Sequence, residues 1–197
     1  MEILYADREI AVVVKPVGLD SEHELPSALE EQLGGTTLTV HRLDRGVGGV
    51  MVYARTKAAA AALSKAITDG TMVKEYVAEV HGTPPAEGEL EDLLFKDSRK
   101  NKVFVVKRER RGVKKAKLSY RTVRAGDRST VAVRLFTGRS HQIRVQFASR
   151  GYPLVGDRKY GAKDSETGLR LFSCRLTFPY KGEERSFEAY PDWFTKV

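Results

Sequence analysis

One cysteine, Cys174, four histidines and one tryptophan are all that 197 residues contain of these types. A lone cysteine excludes an internal disulfide, and so few histidines beside it leave a structural zinc site without a ligand set. No apolar run reaches the ~18 residues that a membrane-crossing helix needs. The opening MEILYADREI lacks the basic-then-apolar plan of a secretory leader, and no linker, repeat or low-complexity tract interrupts the chain. These absences lead us to expect a cytoplasmic, metal-free protein without a membrane anchor, forming one domain over residues 1–197 and acting as a monomer. Acids are also scarce: 26 against 34 lysines and arginines, a net charge of +8.

What is present is unevenly placed. From Arg99 to Arg128 there are thirteen lysines and arginines and two acids, Glu109 and Asp127. This segment holds the whole basic excess, and the remainder is slightly acidic. Such a block is either a solvated loop or a phosphate-binding face, and its clustering favours nucleic acid. Lys114, Lys115 and Lys117 are its candidate phosphate contacts.

Periodicity supplies the elements. IAVVVKP is a β-branched strand stopped by proline, and LPSALEEQLGG sets Leu25, Leu29 and Leu33 at helical spacing before two glycines. TTLTVHRLD alternates; if extended to its end, it places Arg42 beside Asp44 on one face. GVMVYART is a strand leading to a helix capped by Thr56 and stopped near Gly70. TMVKEYVAEVHG alternates, with Tyr76, Ala78 and Val80 on one side and Glu75 and Glu79 on the other. KVFVVK, AKLSYRTV and TVAVRLFTG read as strands. RSHQIRVQFASRG reads as a helix capped by Ser140, YPLVGDRKYG as a loop, and the closing LRLFSCRLTFPY and ERSFEAY as a hairpin about KGE. Strands outnumber helices without regular alternation, which predicts an α+β fold with a mixed, largely antiparallel sheet and flanking helices.

Three stretches have residues suited to chemistry. In HRLDRGVGG, Asp44 is a turn aspartate or, with Arg42 and Arg45 favouring its ionised form and three glycines admitting a large ligand, a working carboxylate. In TGRSHQIR, the plain reading is an amphipathic helix; the functional one joins Arg139 and Arg144 to a helix N-terminus that attracts an anion. A bidentate Arg144–carboxylate pair would keep an aspartate charged in a poorly solvated pocket. Tyr76 is a core tyrosine or a ring on which an extruded base stacks.

In order and spacing, HRLD, KEYVAEVHG, TGRSHQIRVQFASRGYPLVGDRKYG and LFSCRLTFPY resemble the RluA-type pseudouridine synthases, and ILYADREIAVVVKPVGL resembles that family's first hairpin. The resemblance runs from Ile3 to about Tyr180. It departs where Val47-Gly48-Gly49 replaces a usual Thr-Ser-Gly, where Gln146 replaces a common His, and where Ser173-Cys174 replaces His-Ala. No basic amino-terminal domain of the S4 type is seen. The resemblance implies the pseudouridine synthase catalytic fold and isomerisation of uridine in ribosomal or transfer RNA, without metal or small-molecule cofactor. It implies Asp44 as the catalytic carboxylate, Arg144 as its ion-pair partner, Tyr76 stacking on the base, and Arg42 filling the space a flipped nucleotide vacates. RNA contacts would come from Arg42, Arg45, Arg139, His141, Lys114, Lys115 and Lys117. Two other classes stay open: a catalytically silent RNA-binding protein of the same fold, and a nucleotide-processing hydrolase using Asp44.

Overall fold

The computed structural model describes residues 1–195. The chain divides into two compact units, one formed by Met1–Glu75 with Phe172–Thr195 and the other by Tyr76–Leu171.

The first unit opens with an antiparallel hairpin of β1 (Glu2–Ala6) and β2 (Ile10–Lys15). Asp7 closes its turn, one carboxylate oxygen accepting from the N–H groups of Glu9 and Ile10 at 2.8 and 2.9 Å. The β-branched run of β2 pairs antiparallel with β4 (Gly48–Ala54), every residue of which is buried. The other edge of β4 is shared. β3 (Leu38–Thr39) takes Ala54 and Tyr53 in antiparallel register. β10 (Leu171–Tyr180) takes Gly48 and Gly49 through Phe172 and Ser173, in parallel register. β11 (Glu183–Glu188) returns on β10 across Lys181 and Gly182, both at positive φ, as the KGE hairpin requires.

Helix α1 (Glu24–Leu33) buries Leu25 and Leu29 fully, the face its leucine spacing predicts. Helix α2 (Lys57–Thr68) starts where Thr56 accepts a hydrogen bond from the N–H of Ala59 at 3.1 Å, and it packs on β4. Ile10, Val12, Val50, Val52, Leu63 and Phe178 form the centre of this core. Each such side chain contributes about 1.5–3 kcal/mol on burial.

The extended reading of TTLTVHRLD fails beyond Thr39, because side chains replace the strand ladder there. His41 Nε2 takes the outward N–H of Val52 at 3.1 Å. Ser21 Oγ accepts from the N–H of Leu43 at 3.3 Å and donates to its carbonyl at 2.9 Å. The chain therefore leaves the sheet before Asp44, and alternation does not set Arg42 beside it.

The second unit holds most of β5 (Val73–His81), with β6 (Glu87–Asp97), β7 (Lys102–Val106), β8 (Val113–Arg124) and β9 (Arg128–Leu135), in the order β5-β9-β8-β6-β7. The β6–β7, β6–β8 and β8–β9 ladders are antiparallel. Helix α3 (Gln142–Ala148) packs on β6 and β7, and its Val145 joins Leu94, Val103 and Ala116 in a buried cluster. The parallel β4–β10 contact beside the antiparallel ladders, with helices packed on strands, makes the mixed α+β architecture expected. Strand β6 was not anticipated from the sequence.

Candidate active site

Asp44 lies in the loop between β3 and β4, part-exposed, with fixed backbone on both sides. Upstream, Ser21 holds both polar groups of Leu43, and Ser21 is itself anchored through its carbonyl, which accepts from the buried Tyr53 hydroxyl at 2.8 Å. Downstream, the Asp44 carbonyl accepts from the N–H of Val47 at 2.9 Å. The ammonium of Lys15 donates to the carbonyls of Val47 at 2.8 Å, Pro16 at 3.0 Å and Arg45 at 3.3 Å. Lys15 has no exposed surface. Burial pushes its pKa down to about 8, with Arg45 lowering it further and Asp20 and Asp44 pulling it up. A buried lysine thus holds the backbone of the loop that carries the candidate carboxylate. It was overlooked in the sequence, although a lysine at the end of a β-branched run was a signal that an ammonium must find acceptors.

The glycines after Asp44 serve packing as well as access. Gly49 adopts φ +127°, and a Cβ there would meet the Ser173 carbonyl oxygen at 2.3 Å, so the parallel β4–β10 contact excludes any side chain. Gly48 is less confined: a Cβ would fall 3.2 Å from the Lys15 carbonyl oxygen and from the Phe172 ring, a contact relieved by a few tenths of an ångström of movement. The glycine that the usual Thr-Ser-Gly shares with Val47-Gly48-Gly49 is thus the one that the seat on β10 requires. Ser173 and Cys174 are buried beside it. Ser173 donates to the Val50 carbonyl at 3.1 Å, and burial pushes the Cys174 thiol up to about 12, which excludes a reactive thiolate.

The two arginines flanking Asp44 pair with other carboxylates. Arg42 meets Glu22 at 2.9 Å, while Arg45 meets Glu24 at 3.0 Å and the Gly18 carbonyl at 3.0 Å, all exposed pairs. The field attributed to them from the sequence is therefore spent largely on glutamates. His41, of the same motif, accepts from Val52 and must be neutral; burial and then Lys74 push its pKa down to about 3.

In the second unit Tyr76 is buried on β5. Glu79 of the same strand, on the opposite side, pairs with Arg124 at 3.2 Å. Helix α3 does not start at Ser140. His141 precedes it in the left-handed region, φ 51° and ψ 22°, and makes no side-chain cap. Gln142 supplies the local bonds instead. Its Oε1 accepts from the Arg139 N–H at 3.1 Å and the Thr137 hydroxyl at 2.8 Å, while Nε2 donates to the Lys117 carbonyl at 3.0 Å. A seven-residue helix entered this way offers no N-terminal anion site, so the anion reading rests on side chains alone.

Arg144 forms a fork with Asp157, Nε to Oδ2 at 2.7 Å and Nη2 to Oδ1 at 2.8 Å. Its guanidinium also lies 5.0 Å from the centre of the Tyr160 ring. The Tyr160 oxygen accepts from the Val103 N–H at 2.8 Å and lies 2.8 Å from His141 Nδ1. The sequence sets Asp157 in a loop, within the GDRKYG block that carries the resemblance, but nothing local marks its pairing with a residue thirteen positions away. Gln146, the other departure near Arg144, is fully buried and donates to the Leu90 carbonyl at 3.1 Å and to Asp92 at 2.8 Å.

The basic candidates on β8 do not form one patch. Ala116, Leu118 and Tyr120 are buried towards α3, so alternation sends Lys114 to that face and Lys115 and Lys117 to the opposite one. Lys115 pairs with Glu109 at 3.2 Å, and Lys117 with Glu89 at 3.0 Å and Glu91 at 2.8 Å. Arg139 is exposed, its Nε donating to the Lys115 carbonyl at 2.9 Å. Among the described residues, no group of three or more His, Cys, Asp and Glu side chains is arranged to hold a metal ion.

A family model described as RNA pseudouridylate synthase matches residues 9–149. The dual-specificity RNA pseudouridine synthase RluA of Escherichia coli (strain K12) is 34% identical, over 97% of this chain and 93% of its own length. The ribosomal large subunit pseudouridine synthase D of Zymomonas mobilis is 32% identical, over 96% of this chain and 68% of its own. In fold, the chain matches human RNA pseudouridylate synthase domain containing 1 with a TM-score of 0.85, at 22% identity over 98% of this chain and 84% of that one.

Proposed function

From the premise that this chain belongs to the RNA pseudouridylate synthase family, we propose that Asp44, Tyr76 and Arg144 serve one uridine of a structured RNA and convert it to pseudouridine. The C1′–N1 bond breaks, the uracil turns, C1′ bonds to C5, and the proton displaced from C5 is lost while N1 gains one. Overall composition is unchanged. Asp44 supplies the carboxylate, as nucleophile at C1′ or as base at the ribose 2′ carbon. Arg144 holds it ionised and oriented. Tyr76 stacks on the base and assists departure of the C5 proton. The uridine is flipped out of its stack at a cost of a few kcal/mol, Arg42 filling the gap and basic side chains offsetting the cost through phosphate contacts. Arg45, Arg139, His141, Lys114, Lys115 and Lys117 are the proposed contacts. The substrate is ribosomal or transfer RNA, in keeping with relatives named for the ribosomal large subunit and for dual specificity. The enzyme acts as a monomer in the cytoplasm.

The observation that supports this best is the seat of Asp44: a part-exposed carboxylate on a loop fixed by Ser21 before it and by Lys15 after it. Ordinary surface aspartates need no such support. The test is release of tritium from RNA labelled at uracil C5. The wild-type chain releases label and leaves strand length unchanged; Asp44→Ala stops release while RNA affinity stays within about threefold, consistent with a group acting in the transition state. Binding without any release by the wild-type chain overturns the reading. Comparing pseudouridine maps of total RNA with and without the protein identifies the position modified.

A further inference from the structure

We infer that Asp157 is a positioning residue of the reaction: it fixes the plane in which Arg144 presents its guanidinium, and Tyr160 is the plate against which that plane rests. This deepens the role proposed for Arg144 and rests on it.

The geometry overdetermines one side chain. A free arginine samples many rotamers, but here two parallel hydrogen bonds of 2.7 and 2.8 Å lock the Nε–Nη2 edge. The Tyr160 ring covers a face at 5.0 Å. Asp157 and Tyr160 are three residues apart and converge on Arg144, one at its edge and one at its face. Both are held in turn. The Asp157 carbonyl accepts from the N–H groups of Tyr160 at 3.0 Å and Ala162 at 3.1 Å, and the Asp157 N–H donates to Leu154 at 3.0 Å. Gly156, immediately before, has φ +78°, and a Cβ there would lie 2.0 Å from the Gly168 carbonyl oxygen, so the turn cannot slide. The Tyr160 oxygen takes the Val103 N–H from β7.

Side-chain exposure is 11% for Arg144 and 1% for Asp157. A buried ion pair of this kind is poor value for stability, since well-packed apolar residues do as well or better. A fold that needed only filling here would not require a fork and a ring. What the arrangement supplies is direction: any further acceptor must meet the guanidinium along the lines the fork leaves, and a small displacement at a reacting centre costs orders of magnitude in rate.

The experiment uses the full chain and measures kcat, KM, RNA affinity and melting temperature for Asp157→Asn, Asp157→Glu and Tyr160→Phe, with Asp157→Asn repeated in an Arg144→Lys background. Asp157→Asn is expected to lower kcat roughly a hundredfold, with KM and affinity within about twofold. In the Arg144→Lys background the same change should have little further effect, because it acts through the arginine. Asp157→Glu keeps the charge but moves the fork by one methylene, so it is expected to lower kcat without loss of fold, and it decides the matter if the asparagine variant does not fold. A drop in melting temperature with kcat retained, or equal losses in both backgrounds, overturns the inference. Separately, full activity of Arg144→Ala overturns the proposed role of Arg144, whatever the Asp157 variants do.

Discussion

An ammonium has three N–H donors, and Lys15 spends them on three backbone carbonyls around the Asp44 loop. A neutral amine has only two, so loss of the proton must release one carbonyl. With the pKa near 8, this falls within reach of an assay. The folded-state value lies below that of a free lysine, so the native state carries the cost of the buried charge at neutral pH. That cost is relieved as pH rises through about 8 and towards the unfolded value, and this group makes the fold more stable with rising pH, not less. Activity is expected to move the other way. A pH–rate profile at saturating RNA should decline with a midpoint near 8 while the melting temperature does not fall in step. Lys15→Gln, which cannot titrate, should give a lower and flat profile; an unchanged alkaline limb in that variant would show that another group is responsible. His41 works at the acid end. Its pKa is depressed in the fold, so its contribution to stability is lost as pH falls below about 6.5, by at most ~1.4 kcal/mol per pH unit for one proton. Thermal melts from pH 7 to 5 should be less steep in pH for His41→Asn than for the wild type.

Single elements decide which basic residues can act together. On β8, Lys114 shares the α3 face with Arg144, whereas Lys115 and Lys117 face away and are engaged by Glu109, Glu89 and Glu91. Lys114→Ala is therefore expected to weaken RNA binding and to flatten its salt dependence by about one phosphate contact. The double change of Lys115 and Lys117 to alanine should do less; filter binding across salt concentrations that ranks them the other way would assign RNA to the opposite face. The same element shows where sequence reading falls short. The alternation of β8 is visible in the sequence, whereas residues 87–97, with Glu87, Glu89, Glu91 and Asp92 among them, received no assignment from periodicity. In the fold Glu87, Glu89 and Glu91 lie on one face of the strand, opposite Arg121, Ser119 and Lys117 in register. Similarly, β2, β4, α1 and α2 were legible because local period and caps specify them. The end of β3 and the start of α3 were not, since both depend on side chains bonding to distant backbone: His41 to Val52, and Gln142 to Lys117.

For the molecule as a whole, family and fold class were legible because motif order and strand count survive without any knowledge of contacts. Asp44, Tyr76 and Arg144 stood out through their motifs. The residues that hold them, Lys15, Ser21 and Asp157, did not, since their roles arise only when separated segments meet. Charge is also a property of this scale. The basic excess lies in one stretch of sequence, and part of it is engaged in ion pairs, those of Lys115, Lys117, Arg124 and Arg128 among them. Exposed Lys107, Arg108, Arg111, Lys114 and Arg121 remain the main reserve for phosphates. RNA affinity should accordingly fall steeply between about 50 and 200 mM salt, while kcat at saturating RNA holds. A final consequence concerns synthesis. Gly48 and Gly49 gain their parallel neighbour only from Phe172 and Ser173, more than a hundred residues later. During translation the loop bearing the candidate carboxylate stays without that brace until nearly all of the chain has emerged. A chain truncated before residue 172 should therefore fold, if at all, with this loop unbraced on its β10 side.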